Sequence, residues 1–196
     1  MNFEIIGKKV KLRPFKESDI DDKIKWMTEE LEWQEWDAPW EKDDDFVPEA
    51  YRKERLERLK KEEILDFYYS LEIETLDTGK HIGGINSYYI DKNYNYIKHG
   101  SNFTIGIGIN NPNDRKKGYA TEAWILFINY ALKEGIKEIY TQTWSGNYPV
   151  IALMKKIGFE LIHIKKNYHE VNNKPVDGYT FKLNLEKFHK LNKEGY

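Results

Sequence analysis

The sequence predicts a single α/β (α+β) domain built on a mixed, mostly antiparallel sheet flanked by helices. Three observations carry this. The first third of the chain reads as one short strand and two helices. From Asp66 the hydrophobic period changes to two, and a long amphipathic helix at Ala120–Ala131 then interrupts a run of strands.

The elements follow in order. Lys9–Arg13 alternates, with Val10 and Leu12 on one face, and Pro14 ends this first strand. Ser18 stands as an N-cap, and Asp19, Asp21 and Asp22 suit the positive end of a helix reaching about Glu32. Pro39 and Pro48 punctuate an irregular stretch before a polar helix over Glu49–Glu63. Phe67–Glu74 and His81–Ile90 read as strands joined by the turn Asp77-Thr78-Gly79-Lys80. Asn102–Ile109 is a strand with Phe103, Ile105, Ile107 and Ile109 on one face. Ala120, Ala123, Trp124, Phe127, Ile128 and Ala131 then recur at helical spacing, with Gly135 as a left-handed cap. Ile139–Trp144 is a strand, Val150–Lys156 a short helix and Phe159–Lys165 a strand. A last strand carries Tyr179, Phe181, Leu183 and Leu185. The expected domain spans residues 8–186, with 187–196 as a C-terminal tail.

Composition excludes several functions. The chain has 196 residues, 31 Lys+Arg against 33 Asp+Glu, and a formal net charge of −2. A general nucleic-acid binder should carry a basic excess, so no nucleic-acid partner is expected. Apolar runs such as Trp124–Ile128 fall far short of the ~20 residues of a membrane span, and the N-terminus lacks signal-peptide character. No membrane partner is expected. The absence of cysteine excludes disulfides and thiolate nucleophiles and fits a cytoplasmic protein. The five histidines show neither i,i+4 pairing nor HExxH, so no metal is expected.

The stretch from Ile105 to Ala123 carries the chemistry. A strand runs into a polar, basic turn, Asn110-Asn-Pro-Asn-Asp-Arg-Lys-Lys-Gly118, and the turn runs into the long helix. Backbone amides at such a turn converge, the helix N-terminus adds roughly half a positive charge, and Arg115, Lys116 and Lys117 add full charges. Gly118 permits close backbone approach. A phosphate or pyrophosphate site and a capped, merely basic surface turn both satisfy this pattern. The Walker loop and the dinucleotide fingerprint are absent.

Arg115-Lys-Lys-Gly118-Tyr-Ala120 resembles the R/Q-x-x-G-x-G/A signature of the GCN5-related N-acetyltransferase (GNAT) family. Its extension Gly-Tyr-Ala-Thr-Glu-Ala resembles the branch that acetylates ribosomal-protein N-termini. Asn147 followed by Lys155-Lys-Ile-Gly158-Phe159 is similar to a second block of the family, and Lys11-Leu-Arg-Pro-Phe15 to its opening strand. The resemblance implies a GNAT-like fold and acetyl-CoA as cosubstrate. Backbone amides from Lys116 through Tyr119 to Ala120 would hold the pyrophosphate, with Thr121 adding a hydroxyl. The backbone of Ile107 and Ile109 would pair with pantetheine, and Asn147 would bond the same arm. Gly158-Phe159, Trp124 and Trp144 are expected to be structural.

Direct acetyl transfer to an amine needs a route for the amine's proton and a proton for the thiolate. The positions that often hold the family's Tyr and Ser are Met154 and Val150, which donate nothing. Tyr148, Ser101 and His99 are the substitute candidates, and the catalytic residues stay unassigned. Residues 26–49 concentrate Trp26, Trp33, Trp36 and Trp40 among acids that include Glu35, Asp37, Asp43 and Asp44. By resemblance this segment covers the acceptor side, so Trp33, Glu35, Trp36 and Asp37 are expected to bind a cationic amine, either a small molecule or a protein N-terminus. The alternative is packing and solvation. The functional expectation is an acetyl-CoA-dependent N-acetyltransferase, with room for a homodimer. The competing class is a non-catalytic acyl-CoA-binding or sensing module, which Met154 and Val150 favour.

Overall fold

Val10 and Leu12 are fully buried, whereas Lys11 and Arg13 between them carry ion pairs, so the predicted alternation forms a strand in which each face has its own partner. The structure is a computed structural model that describes residues 3–41, 45–61 and 65–192. The strands are β1 (Ile5–Ile6), β2 (Val10–Arg13), β3 (Ser70–Thr75), β4 (His81–Ile90), β5 (Tyr96–Ile97), β6 (Asn102–Ile109), β7 (Ile139–Trp144), β8 (Phe159–Val171) and β9 (Lys174–Leu183). The helices are α1 (Asp19–Thr28), α2 (Pro48–Leu59), α3 (Tyr119–Lys133), α4 (Tyr148–Ile157) and α5 (Leu185–Leu191), with 3₁₀ turns at Leu31–Glu35 and Pro112–Asp114. One sheet runs β1-β2-β3-β4-β6-β7-β9-β8, with β5 added to β4. Every pairing is antiparallel except β6 with β7.

One face of the sheet is apolar. Leu12, Ile73, Ile85, Phe103 and Ile105 meet Ala123, Trp124, Phe127, Ile128 and Ala131 of α3 in a single core. Trp124 and Phe127 have no exposure at all, which fits the structural role expected of Trp124. Gly135 closes α3 at φ +90°, where the Ile136 amide reaches back to the Ala131 carbonyl.

The opposite face holds a buried polar layer under α1. Arg13 pairs with both Asp19 oxygens at 2.7 and 2.8 Å and with Glu74 at 2.6 Å. This layer replaces the expected Ser18 cap. Ser18 makes no side-chain cap bond, and Asp19 accepts the Lys16 amide at 2.9 Å instead. Such a buried acid is stable only because guanidinium and amide donors saturate it.

Other boundaries move for local reasons. α1 ends at Thr28, not near Glu32, and a 3₁₀ turn follows. α2 begins with Pro48 at its first position and ends at Leu59, while the expected terminus at Glu63 lies outside the described residues. β3 begins at Ser70, because Phe67 leaves the ladder to stack on Tyr130 with ring centroids 5.0 Å apart. β8 and β9 run well past the expected ends and join through Asn172 and Asn173, both at positive φ, which is the type I′ geometry of a tight hairpin. Leu185 opens α5 instead of ending a strand. Phe188 of α5 is buried in the core, and a Cβ at Gly158 would come within 2.9 Å of its amide nitrogen, so part of the expected tail is a packed helix.

Candidate active site

The parallel strands β6 and β7 share only two rungs, Phe103 with Ile139 and Thr104 with Tyr140. β6 continues to Ile109 and β7 to Trp144, so beyond Thr104 the sheet forks. Backbone edges of Ile105–Ile109 and Thr141–Trp144 face this fork without a strand between them. A peptide-like chain fits such an opening as an added strand.

The turn before α3 lies where β6 ends. Gly118 is the N-cap of α3 at φ +88°, a left-handed conformation suited to glycine, and it offers no side-chain cap. Lys116 is also left-handed, at φ +61°. None of the backbone amides from Lys116 to Thr121 bonds another described residue, so six consecutive donors are left for a ligand. Neighbours hold the turn in this shape. Asp114, buried, accepts Lys80 Nζ at 2.6 Å and lies 3.6 Å from Lys117 Nζ. Lys9 Nζ donates to the Lys117 carbonyl at 3.0 Å. Glu122, also buried, accepts the amides of Lys8 and Lys9 and so pins the β1–β2 turn to α3.

Several expected ligand residues are placed differently. The Arg115 guanidinium does not face the turn's free amides. Its Nε donates to the Ile109 carbonyl at 2.9 Å, Nη2 to the Asn110 carbonyl at 3.0 Å, and Nη1 pairs with Glu32 at 2.7 Å. Arg115 thus braces the turn against the end of β6 and Glu32, and its Nε meets the Ile109 carbonyl on the open edge. Ile107 keeps its place on the open edge. Thr121 Oγ1 lies 3.4 Å from Lys156 Nζ, and the Tyr119 ring lies 5.9 Å from Lys117 Nζ. Asn147 caps α4 by accepting the Val150 amide at 3.3 Å, while its Nδ2 donates to the Trp36 carbonyl at 2.6 Å.

The proton-transfer candidates separate clearly. Ser101 precedes the first paired rung of β6 by two residues and His99 by four, so both lie at the closed end of the fork, where His99 and Tyr88 line one cavity. Tyr148 is 73% exposed at the start of α4. Met154 is buried, and Val150 packs beside the core.

On the face opposite α3, Tyr88 stands across from Thr104 and its hydroxyl donates to Gln142 Oε1 at 3.2 Å, spanning the apex of the fork. Gln142 is held by Nε2 donating to the Tyr94 carbonyl and to Thr180. Burial pushes the Tyr88 hydroxyl far above an ordinary tyrosine, and Asp37 and Tyr168 push it the same way. Segment 33–41 roofs this face. Trp144 Nε1 and Asn147 Nδ2 both donate to the Trp36 carbonyl, and Trp40 stacks on His169 of β8 with centroids 4.1 Å apart. Trp33 Nε1 bonds the Trp26 carbonyl and Trp36 Nε1 bonds Glu32, so both indoles are anchored within the protein. Trp26 is buried, with its ring tilted against His81 at a centroid distance of 4.7 Å. Glu35 is exposed. Asp37 is open to solvent on one side, yet the protein around it removes enough water to raise its pKa, with Glu41 adding to the rise. Asp43 and Asp44 lie outside the described residues.

Sequence reasoning missed Tyr88, Gln142, Tyr168 and His169, which come together only through strand pairing and the long hairpin. It also missed Thr141, whose buried hydroxyl has no partner and sits on β7 just past the last rung. Asp19, Asp22 and His81 bring ligand-type atoms within 4.8 Å of one another. Those atoms already have partners: Asp19 is bidentate to Arg13, and the His81 nitrogens lie 3.0 Å from Asp22 and 2.8 Å from Glu72. No helix among the described residues is long and apolar enough to cross a membrane.

A forked sheet with a free-amide turn at the helix N-terminus defines the acetyltransferase class, and comparison with known proteins agrees. The model of the acetyltransferase (GNAT) domain matches residues 9–160, and the chain belongs to the GNAT acetyltransferase family. A comparison with curated protein sequences finds no match. Among solved structures, the chain is similar to a GNAT-family acetyltransferase from Bacillus anthracis, with 19% identity, TM-score 0.70, and 94% of this chain and 99% of that one covered. It is similar to a ribosomal-protein-S5-alanine acetyltransferase from Vibrio fischeri, with 16% identity, TM-score 0.69, and 92% and 96% covered. A ribosomal L7/L12 α-N-protein acetyltransferase in complex with coenzyme A gives 14% identity, TM-score 0.68, and 92% and 97% covered.

Proposed function

We propose that this acetyltransferase uses acetyl-CoA and transfers the acetyl group directly to a primary amine, carried by a small cationic molecule or a protein N-terminus. The observation that supports it most is the fork whose open edge leads from Thr104 to six free amides at Lys116–Thr121. The residues fit a long ligand with a pyrophosphate at one end. The amides and the α3 dipole suit the phosphates, the Ile107 edge suits an amide-bearing arm, and Thr141, just past the last rung on β7, has a buried hydroxyl without a partner. The thioester supplies the activated acyl group.

The chain's own residues do the rest. The free amides hold the anionic end, while Lys116 and Lys117 add screened charge. Tyr88 and Gln142 close the apex under the reacting end. Segment 33–41 covers the face from which an acceptor reaches the fork, and its acids favour a cation there. That a neighbouring structure acetylates a ribosomal protein supports the protein N-terminus as one acceptor class.

Thiol release from acetyl-CoA across polyamines, aminoglycosides and short peptides with free N-termini tests the reading. Turnover with an amide product is expected. Silence across the panel with intact CoA binding would favour the acyl-CoA-binding module instead.

A further inference from the structure

We infer that Asp37 is the general base that takes the proton from the acceptor ammonium, an inference that rests on the N-acetyltransferase reading above. The geometry comes first. The peptide before Asp37 is fixed by two donors on the Trp36 carbonyl, Trp144 Nε1 at 2.8 Å and Asn147 Nδ2 at 2.6 Å. Both donors belong to the stretch that forms the β7 side of the fork, so Asp37 is tied to the fork and not to a free loop. Its own amide donates to the Trp33 carbonyl at 3.2 Å. Its charge is felt by Tyr88, whose hydroxyl spans the fork apex. This puts Asp37 on the Tyr88 side of the fork, the face opposite α3.

Two acids of the segment are committed to ion pairs, while Glu35 and Glu41, like Asp37, have none among the described residues. Glu30 pairs with Lys25 and Glu32 with Arg115. The Asp37 carboxylate makes no hydrogen bond or ion pair with any described residue, which leaves its lone pairs for a ligand. The charged or titratable groups that act with it are Glu41 on its own segment and Tyr88 on β4, and Tyr88 in turn feels Tyr168 of β8. Farther out, Lys165 lies over the Tyr168 ring and His169 lies against Trp40. Its neighbours are thus an acid and neutral phenols. Desolvation by the surrounding protein and the charge of Glu41 both raise its affinity for a proton, the direction a general base needs.

The protons balance as follows. The acceptor ammonium gives one proton to the Asp37 carboxylate, which frees the nitrogen lone pair, and Asp37 later releases that proton to solvent. The lone pair forms the C–N bond as the C–S bond breaks. The second nitrogen proton leaves the new amide and ends on the departing sulfur. An amide, a thiol and one solvent proton result.

The test pairs Asp37→Asn and Asp37→Glu with the wild type. Asp37→Asn is expected to lower kcat/KM for the amine by roughly 10²- to 10⁴-fold while leaving the Kd for acetyl-CoA unchanged. Its residual rate should climb about tenfold per pH unit towards the amine's own pKa, because only pre-formed free amine reacts. Asp37→Glu should restore part of the rate and the wild-type profile. In the ligand-free protein, carbon-13 carboxyl titration should place Asp37 above the ordinary value of ~3.9. Wild-type rate and pH profile in Asp37→Asn would overturn the assignment, as would a loss that tracks melting temperature alone or an ordinary Asp37 titration. A wild type that binds CoA but acetylates no amine removes the acetyltransferase reading, and the role of Asp37 falls with it.

Discussion

The indole Nε1 of Trp144 donates to the backbone carbonyl of Trp36 at 2.8 Å. This bond joins the end of β7 to segment 33–41, so the segment is held at a fixed spacing from the fork. The Trp144 ring lies over Gly146, where a Cβ would come within 1.8 Å of it. Trp144→Phe keeps aromatic bulk and removes only the donor, with Asn147 still bonded to Trp36. One such bond is worth about 1 kcal/mol, or roughly fivefold. The acceptor KM should rise by about that factor, with acetyl-CoA binding unchanged. Steady-state kinetics beside calorimetry check this.

Gly118→Val tests the anion cradle. The φ of +88° costs a β-branched residue about 1–3 kcal/mol, and its Cβ would press on Lys9 Nζ at 3.3 Å. Its side chain would also crowd the free amides of the turn, so acetyl-CoA affinity should fall much further than stability. Calorimetric titration of the folded variant measures the first, and urea melts the second. Lys116→Ala and Lys117→Ala should cost less affinity, because exposed charges are screened.

Arg115→Lys separates a strut from a phosphate ligand. Lysine cannot reproduce the three-way fork to Ile109, Asn110 and Glu32. The melting temperature should fall, with a loss of about 1–3 kcal/mol. The salt dependence of acetyl-CoA binding should stay as it is. A flatter salt dependence would show that Arg115 meets the phosphates directly.

Glu74 links stability to acid. Burial alone would raise its pKa, but hydrogen bonds from Lys16, Arg13 and Lys11 overcome that and hold it at about 2, below an ordinary glutamate at 4.5. The folded value lies below the unfolded one, so the stabilisation is complete above about pH 5 and drains away as pH falls through 4 towards 2. Urea melts over this range should show a steep loss in the wild type. Glu74→Gln should start less stable at neutral pH and lose less on acidification.

Much of the fold was legible because it is written in local periods. The alternation of Asn102–Ile109 and Ile139–Trp144 gave β6 and β7 to the residue, and Ala120–Ala131 gave the helix whose N-terminus forms the cradle. The fork itself was not legible, because two strands of correct length do not reveal how many rungs they share. Arg115 shows the same limit. A basic residue beside a phosphate turn reads as a ligand, and nothing local shows that Glu32, 83 positions away in sequence, bonds it. Ser18 looked like a cap because the local pattern was right, and Arg13 and Lys16 won Asp19 for a long-range network instead. The β8–β9 hairpin was under-read because its outer half is mostly exposed, although Asn172-Asn173 carried the turn signal. Tyr88 carried no signal beyond its place in an alternating strand.

Amide chemical shifts of the protein titrated with coenzyme A test most directly whether the fork and cradle form the donor site. The account predicts that the largest changes cluster at Lys116–Thr121, on the Ile105–Ile109 edge and at Thr141–Asn147. Residues behind the rungs, such as His99 and Ser101, should shift little. Saturable changes confined to another surface, or none at coenzyme A concentrations in large excess, would contradict it.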